Sequence, residues 1–200
     1  MVAIIDYDTG NLRSVINAFN RLGAEIIVTA DHQQILQATH VVLPGVGEAS
    51  SAMEKLRTRG LDTLIPTLTQ PTLGICIGLQ LMCKSSAEGD AKCMGIFPTE
   101  VRFMSPAAEV GLKIPHVGWD NVNWTLPEPP IAKDIPEGAH FYYVHSYAAA
   151  LCPDTIATTD YGAPFSAALQ HRNFIGVQFH PEKSGPIGEQ LLRNFLTLKP

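Results

Sequence analysis

Short apolar runs alternate with segments of helical period through the N-terminal half of this chain, and that alternation restricts its fold more than any other feature. Val2-Ala3-Ile4-Ile5 is such a run, and it gives way to the turn-forming stretch Asp6-Tyr7-Asp8-Thr9-Gly10-Asn11. Leu12, Val15, Ile16, Phe19 and Leu22 then recur at three- and four-residue spacing, which sets them on one helix face, and Gly23 stands where a C-terminal cap falls. Glu25 to Thr29 reads as a second strand and Asp31 to Ala38 as a short helix. His40 to Leu43 is a third strand, ending at Pro44-Gly45-Val46-Gly47. Ser50 to Arg59 is helical, Pro71 to Ile75 is a strand that stops at Cys76, and the pattern from Ile77 is helical again. Strands joined through helices pair in parallel, so the expectation is a doubly wound α/β sheet.

Beyond Lys92 the strands shorten and Pro/Gly-rich turns appear, among them Leu126-Pro127-Glu128-Pro129-Pro130, a surface loop by composition. Phe141 to Tyr147, Ser166 to Gln170 and Phe174 to Phe179 read as successive strands, and Ile187, Leu191, Leu192 and Phe195 share a face of the last helix. No repeat or boundary interrupts the pattern. With 46% apolar residues in 200, one domain over residues 1–200 is expected.

Several function classes are disfavoured. No run of about eighteen apolar residues is present, and the N-terminal stretch lacks the basic and apolar regions of a signal sequence, so no membrane association is expected. A net charge of −5, with the basic residues thinly spread, offers no stripe for a phosphate backbone, so no nucleic-acid partner is expected. Cys76, Cys83, Cys93 and Cys152 form no CxxC pair and no zinc-type spacing with histidine, so no metal is expected. Reduced thiols in a cytoplasmic protein are the expected state.

One cysteine has a distinctive setting. Gly74-Ile75-Cys76-Ile77-Gly78 puts Cys76 at a strand-to-helix corner with a glycine two residues away on each side, the pattern of a nucleophile elbow with sulfur in place of hydroxyl. The following helix N-terminus favours the thiolate, the form that attacks a carbonyl. The same glycines would equally allow close packing around an inert buried thiol. What separates the readings is His180-Pro181-Glu182 at the end of another apolar strand, which supplies a base and an acceptor to orient it. Alone, that tripeptide is compatible with an ordinary polar turn. Ligands of open parallel sheets bind beyond the carboxyl ends of the strands, where both motifs fall. Gly45, Val46 and Gly47 end a third strand and can offer backbone N–H groups to an oxyanion, with the N–H of Ile77 as a second donor.

Ordered together, Pro71 to Gln80 and Gly176 to Glu182 resemble the nucleophile and His/Glu segments of the class I (triad) glutamine amidotransferases, and the resemblance covers nearly the whole chain. It implies a three-layer α/β fold, an open, mainly parallel sheet flanked by helices. It also implies a Cys76–His180–Glu182 triad that forms a glutamyl thioester, an oxyanion loop at Gly45 to Gly47, and glutamine binding by Gln80. No cofactor is implied. Within the class, Ile5 to Ser14, Leu43 to Gly47, Pro115 to Trp119, Tyr142 to Tyr147 and Lys183 to Gly185 are similar to the glutaminase subunits of imidazole glycerol phosphate synthases. Those subunits feed ammonia to a (β/α)8-barrel cyclase subunit as a heterodimer in histidine biosynthesis, and the length of this chain leaves no second domain to use the ammonia. The resemblance sets Asn11, Trp119, Asp120, Tyr142 and Lys183 toward the partner. Asp120 departs from the asparagine expected there, while Val117 and Leu79 stand at positions where methionine is common. Two other readings remain: the glutaminase subunit of pyridoxal phosphate synthase, and a non-catalytic interaction module. The Asp6 to Ser14 and Tyr142 to Tyr147 segments oppose the first, and the intact triad opposes the second.

Overall fold

In the computed structural model, the described residues are 1–8, 10, 12–125, 127 and 129–199, without the side chain of Pro106. The first half runs β1 (Val2–Ile5), α1 (Arg13–Arg21), β2 (Ile26–Thr29), α2 (His32–Gln37), β3 (His40–Leu43), α3 (Ala49–Thr58), α4 (Leu61–Leu64), β4 (Thr72–Ile75) and α5 (Ile77–Met82). It continues through β5 (Ser85–Ser86), β6 (Ala91–Lys92), β7 (Glu100–Phe103), α6 (Ser105–Glu109), β8 (His116–Asn121) and β9 (Asn123–Trp124). The remainder is β10 (His140–His145), β11 (Tyr147–Ala149), β12 (Thr155–Asp160), β13 (Pro164–His171), β14 (Phe174–Val177) and α7 (Gly185–Thr197).

An eight-stranded sheet in the order β2-β1-β3-β4-β14-β13-β12-β9 forms the middle layer. From β2 to β14 every neighbour is parallel, and from β14 to β9 every neighbour is antiparallel. Strand alternation builds the two outer layers. Val2 and Ile4 of β1 join a core with Val15 and Phe19 of α1 and Leu191 and Phe195 of α7. Ala3 and Ile5 face the other way, toward Ile35 of α2, Met53 and Leu56 of α3 and Leu79 of α5. Strands covered on both faces are buried throughout, which is why β1, β3 and β4 read as unbroken buried runs, with His40 and Thr72 hydrogen-bonded at their starts.

The helices fall where periodicity put them, and Asp31 caps α2 by accepting the Gln34 N–H at 2.9 Å. One stretch differs from expectation. Phe141 to Tyr147 is not a single strand: it breaks at Ser146, with β10 pairing β8 in a separate two-stranded sheet and β11 pairing β7 in a four-stranded one. Every residue there suits a strand, so local preference could not reveal that its halves belong to different sheets. The predicted Leu126–Pro130 loop falls partly on Leu126 and Glu128, outside the described residues.

Candidate active site

Three neighbouring strands, β3, β4 and β14, deliver the site from their carboxyl ends. After β3 comes Pro44 to Gly47, after β4 comes Cys76, and after β14 come Gln178 and His180. The β4–β14 ladder extends one step further, since the Cys76 N–H donates to the Val177 carbonyl at 2.8 Å. Cys76 then turns the chain with φ 53° and ψ −108°. That conformation is unfavourable for any residue with a side chain and is held only by its surroundings.

The flanking glycines are what permit it. A Cβ on Gly78 would lie 1.9 Å from the Leu43 carbonyl oxygen, and one on Gly74 would lie 2.7 Å from the Gly78 carbonyl carbon. Helix α5 therefore crosses β3 and β4 at backbone contact, so the GxCxG spacing is a packing requirement and an elbow at once.

His180 Nδ1 is 2.7 Å from Glu182 Oε1, both side chains being almost wholly buried. Burial alone would lower the His180 pKa, but hydrogen bonding to Cys76 and the charges of Cys76 and Glu182 push it up to about 10. The arrangement can therefore keep an imidazolium beside the sulfur at neutral pH. The His180 N–H donates to the Tyr142 carbonyl at 2.8 Å, which ties the small β8/β10 sheet to the site.

A cavity of about 230 Å³ opens above the sulfur. It is lined by Gly45, Val46, Gly47, Cys76, Ile77, Gln80, His180 and Lys183 from the residues expected, and by Glu88, His145 and Tyr147, which were not. Gln80 donates to the Tyr147 carbonyl at 2.9 Å and to Gln178 Oε1 at 3.0 Å, leaving its own Oε1 without a partner among the described residues. Gln178 in turn points its amide nitrogen at Cys76 Sγ, 3.6 Å away, and can stabilise a thiolate. Its sequence signal was a glutamine inside an apolar strand end, two residues before His180. Glu88 accepts the Ala49 N–H at 3.1 Å, and burial, with Glu48 nearby, raises its carboxyl above the usual range. Nothing around it in the sequence marked it, because a helix-to-loop path brings it to the cavity. The Tyr7 hydroxyl donates to the Pro44 carbonyl at 2.9 Å and so pins the start of the glycine turn.

Behind the triad, a small cavity of about 30 Å³ is shared by Leu12, Val15, Val46, His180, Glu182 and Lys183. On the outer face Trp119 is more than half exposed and meets Tyr142 edge to face, 6.1 Å between centroids, and Lys183 Nζ stands 5.8 Å from the Tyr142 ring centre. Asp120 does not share that face: its Oδ2 points inward to His116 Nε2 at 3.3 Å. Asn11 lies outside the described residues. A larger cleft of about 490 Å³, beside Phe103, Met104 and Tyr161, brings no nucleophile and base together. Among the described residues no group of three or more His, Cys, Asp and Glu side chains has metal-holding geometry, and no helix is long and apolar enough to cross a membrane.

A cysteine on a strained strand-to-helix corner, with an imidazole and a carboxylate from the adjacent strand end, defines an α/β protein equipped for cysteine-based acyl transfer. Residues 3–198 match the family described as glutamine amidotransferase class-I. The imidazole glycerol phosphate synthase subunit HisH of Bacteroides thetaiotaomicron is 46% identical over 197 residues, 98% of this chain and 99% of that one. The HisH of Yersinia pseudotuberculosis is 45% identical over 198 residues, with the same coverage. A crystal structure of a glutamine amidotransferase superposes with a TM-score of 0.72 at 16% identity, covering 98% and 97% of the two chains, a likeness of fold. The chain belongs to the class-I glutamine amidotransferase family, in the branch formed by the HisH subunits.

Proposed function

We propose that this chain is the glutaminase subunit of an imidazole glycerol phosphate synthase, releasing ammonia from glutamine for a (β/α)8 cyclase subunit. The observation that carries this is the contact of Cys76, His180 and Glu182 at the floor of a cavity sized for an amino acid. Its near full-length likeness to HisH subunits supports the synthase in preference to the pyridoxal phosphate alternative.

The Cys76 thiolate attacks the glutamine side-chain carbonyl, and the negative charge passes to oxygen, stabilised by N–H groups of the Gly45–Gly47 turn and of Ile77. The tetrahedral adduct collapses as His180 gives its proton to the departing nitrogen, leaving ammonia and a thioester. His180, now neutral, takes a proton from water, which attacks the thioester and releases glutamate and the thiolate. Glu182 keeps the imidazole turned with Nδ1–H toward the carboxylate. Gln80, through its free Oε1, and the Glu88 carboxylate suit the ammonium group of the substrate.

Ammonium cannot attack an electrophile, so ammonia must leave away from water. The small cavity behind the triad shares Lys183 with the face carrying Trp119 and Tyr142, which we assign to the cyclase. One domain over residues 1–200 is consistent with the shared cores. Glutamate release from glutamine by the purified chain mixed with cyclase and its nucleotide tests the reading. No release, while added ammonia still supports synthesis, overturns it.

A further inference from the structure

Two buried histidines connect the cavity wall to the small sheet. His116 of β8 and His145 of β10 are cross-strand partners, and His116 Nδ1 lies 3.3 Å from His145 Nε2. At one end His145 Nδ1 is 2.9 Å from the Tyr147 carbonyl oxygen. At the other, His116 Nε2 is 3.3 Å from Asp120 Oδ2. Tyr143 and Tyr161 stack on the His116 ring, and Phe165 packs its edge against both histidines.

Counting hydrogens exposes a shortage. Both ends of the chain are acceptors, so its three contacts need three N–H groups, whereas two neutral imidazoles carry one each. The carbonyl obliges His145 to hold its hydrogen on Nδ1, which leaves Nε2 as an acceptor and obliges His116 to donate from Nδ1. A neutral His116 then turns a bare Nε2 toward a carboxylate. Asp120 has no hydrogen to offer, and its Oδ1 already accepts the Asn121 N–H at 2.8 Å. Other ionisable groups near the pair do not fill the gap: Tyr143 bonds Thr159, the Tyr161 hydroxyl donates to the Lys113 carbonyl, and His180 faces His145 from the cavity side. Among the described residues no lysine or arginine pairs with Asp120.

We propose that Asp120 and His116 are positioning residues of the glutaminase site, completing their network by holding one extra proton between them, so that the shape of the glutamine cavity depends on pH. The proposal rests on the glutaminase reading above. Its route to the sulfur is the Tyr147 carbonyl, which accepts from His145 on one side and from Gln80 on the other. Gln80 spends its second hydrogen on Gln178 Oε1, and that fixes which end of Gln178 faces Cys76. Without the extra proton the His116–Asp120 contact sets acceptor against acceptor and opens, which loosens the His116 ring, its partner His145 and, through His145, the Tyr147 carbonyl that aligns both glutamines. Burial holds His116 below its ordinary value despite the pull of Asp120, so the proton leaves as pH rises, before the ordinary histidine value is reached.

Asp120→Asn is the informative variant, because its Oδ1 still accepts the Asn121 N–H while its Nδ2 supplies the missing hydrogen to a neutral His116. In 15N-histidine NMR of the resting chain, His116 should gain a second N–H as pH falls below the ordinary histidine value of about 6.5, while His145 keeps Nδ1–H. In Asp120→Asn, His116 should stay neutral with Nδ1–H throughout. In the cyclase complex, the ratio of Asp120→Asn to unaltered kcat/KM for glutamine should rise by a factor of about 3 or more as pH rises through that transition, never faster than the one-proton limit of about tenfold per pH unit. Asp120→Ala, which supplies neither proton nor amide, should stay below Asp120→Asn at every pH. A His116 that holds its single hydrogen on Nε2 overturns the shared proton. A pH-independent ratio, or equal loss in both variants, overturns the positioning role. Absence of glutaminase activity in the unaltered complex would instead defeat the function itself, and the NMR result would still decide the proton.

Discussion

Replacing Cys76 by glycine should give a more stable protein than replacing it by alanine, although both are inactive. Both variants lose the sulfur and its contact with Gln178. They differ by one Cβ, which alanine keeps in a backbone conformation of φ 53° and ψ −108°. Holding a residue with a side chain in so sparse a region costs about 1–3 kcal/mol. Glycine relieves that cost and loses about 0.5–1 kcal/mol through the greater freedom of its unfolded chain. At the middle of these ranges the balance favours Cys76→Gly by about 1.3 kcal/mol, or roughly 3–5 °C in Tm for a chain of this length. Urea unfolding of both variants measures it, with equal m-values required for the comparison to hold. Equal stability, or an advantage for Cys76→Ala, would refute the claim that the corner is strained and that the protein sacrifices stability to turn its nucleophile toward the cavity.

Further outcomes follow from the same geometry. Cys76→Ser should abolish glutamine-dependent synthesis by the cyclase complex and spare synthesis from added ammonia; loss of both would make Cys76 structural. Gly78→Ala, which sets a methyl 1.9 Å from the Leu43 carbonyl oxygen, should cost at least the 1–3 kcal/mol of ordinary overpacking, and should lower kcat about a hundredfold by displacing the corner; unchanged stability and rate would refute the backbone contact. Because His180 is raised to about 10, its imidazolium is retained until pH approaches that value, so glutaminase activity should fall as pH rises through about 10. The linked stability has the same sign, being fully present below the unfolded value of about 6.5 and lost as pH rises through the folded one. Glu182→Gln should move the alkaline fall of kcat to lower pH, and an unmoved profile would mean that the carboxylate does not support the imidazolium.

Much of the parallel half was written locally. Apolar runs of four residues between amphipathic helices leave a doubly wound sheet as the economical way to bury both strand faces, and β3 and α2 fall within a residue or so of their predicted limits. The Cys76 corner was legible for a similar reason: Gly74 and Gly78 are needed at contact distance, and such needs leave a mark in sequence.

Pairing between distant segments left no such mark. Phe141 to Tyr147 has strand chemistry along its whole length, and only the competition of β8 and β7 for its two halves divides it at Ser146. Glu88 and His145 carry no local sign of lining the cavity, because their place depends on connections closed elsewhere. Asp120 was set toward a partner by resemblance, yet strand alternation in β8 puts its carboxylate on the same face as His116. The sequence by itself determined which side chains could do chemistry and which backbone positions had to be bare. Which acceptor faces which donor was decided by the tertiary fold, because that depends on long-range pairing and on where each proton can be placed.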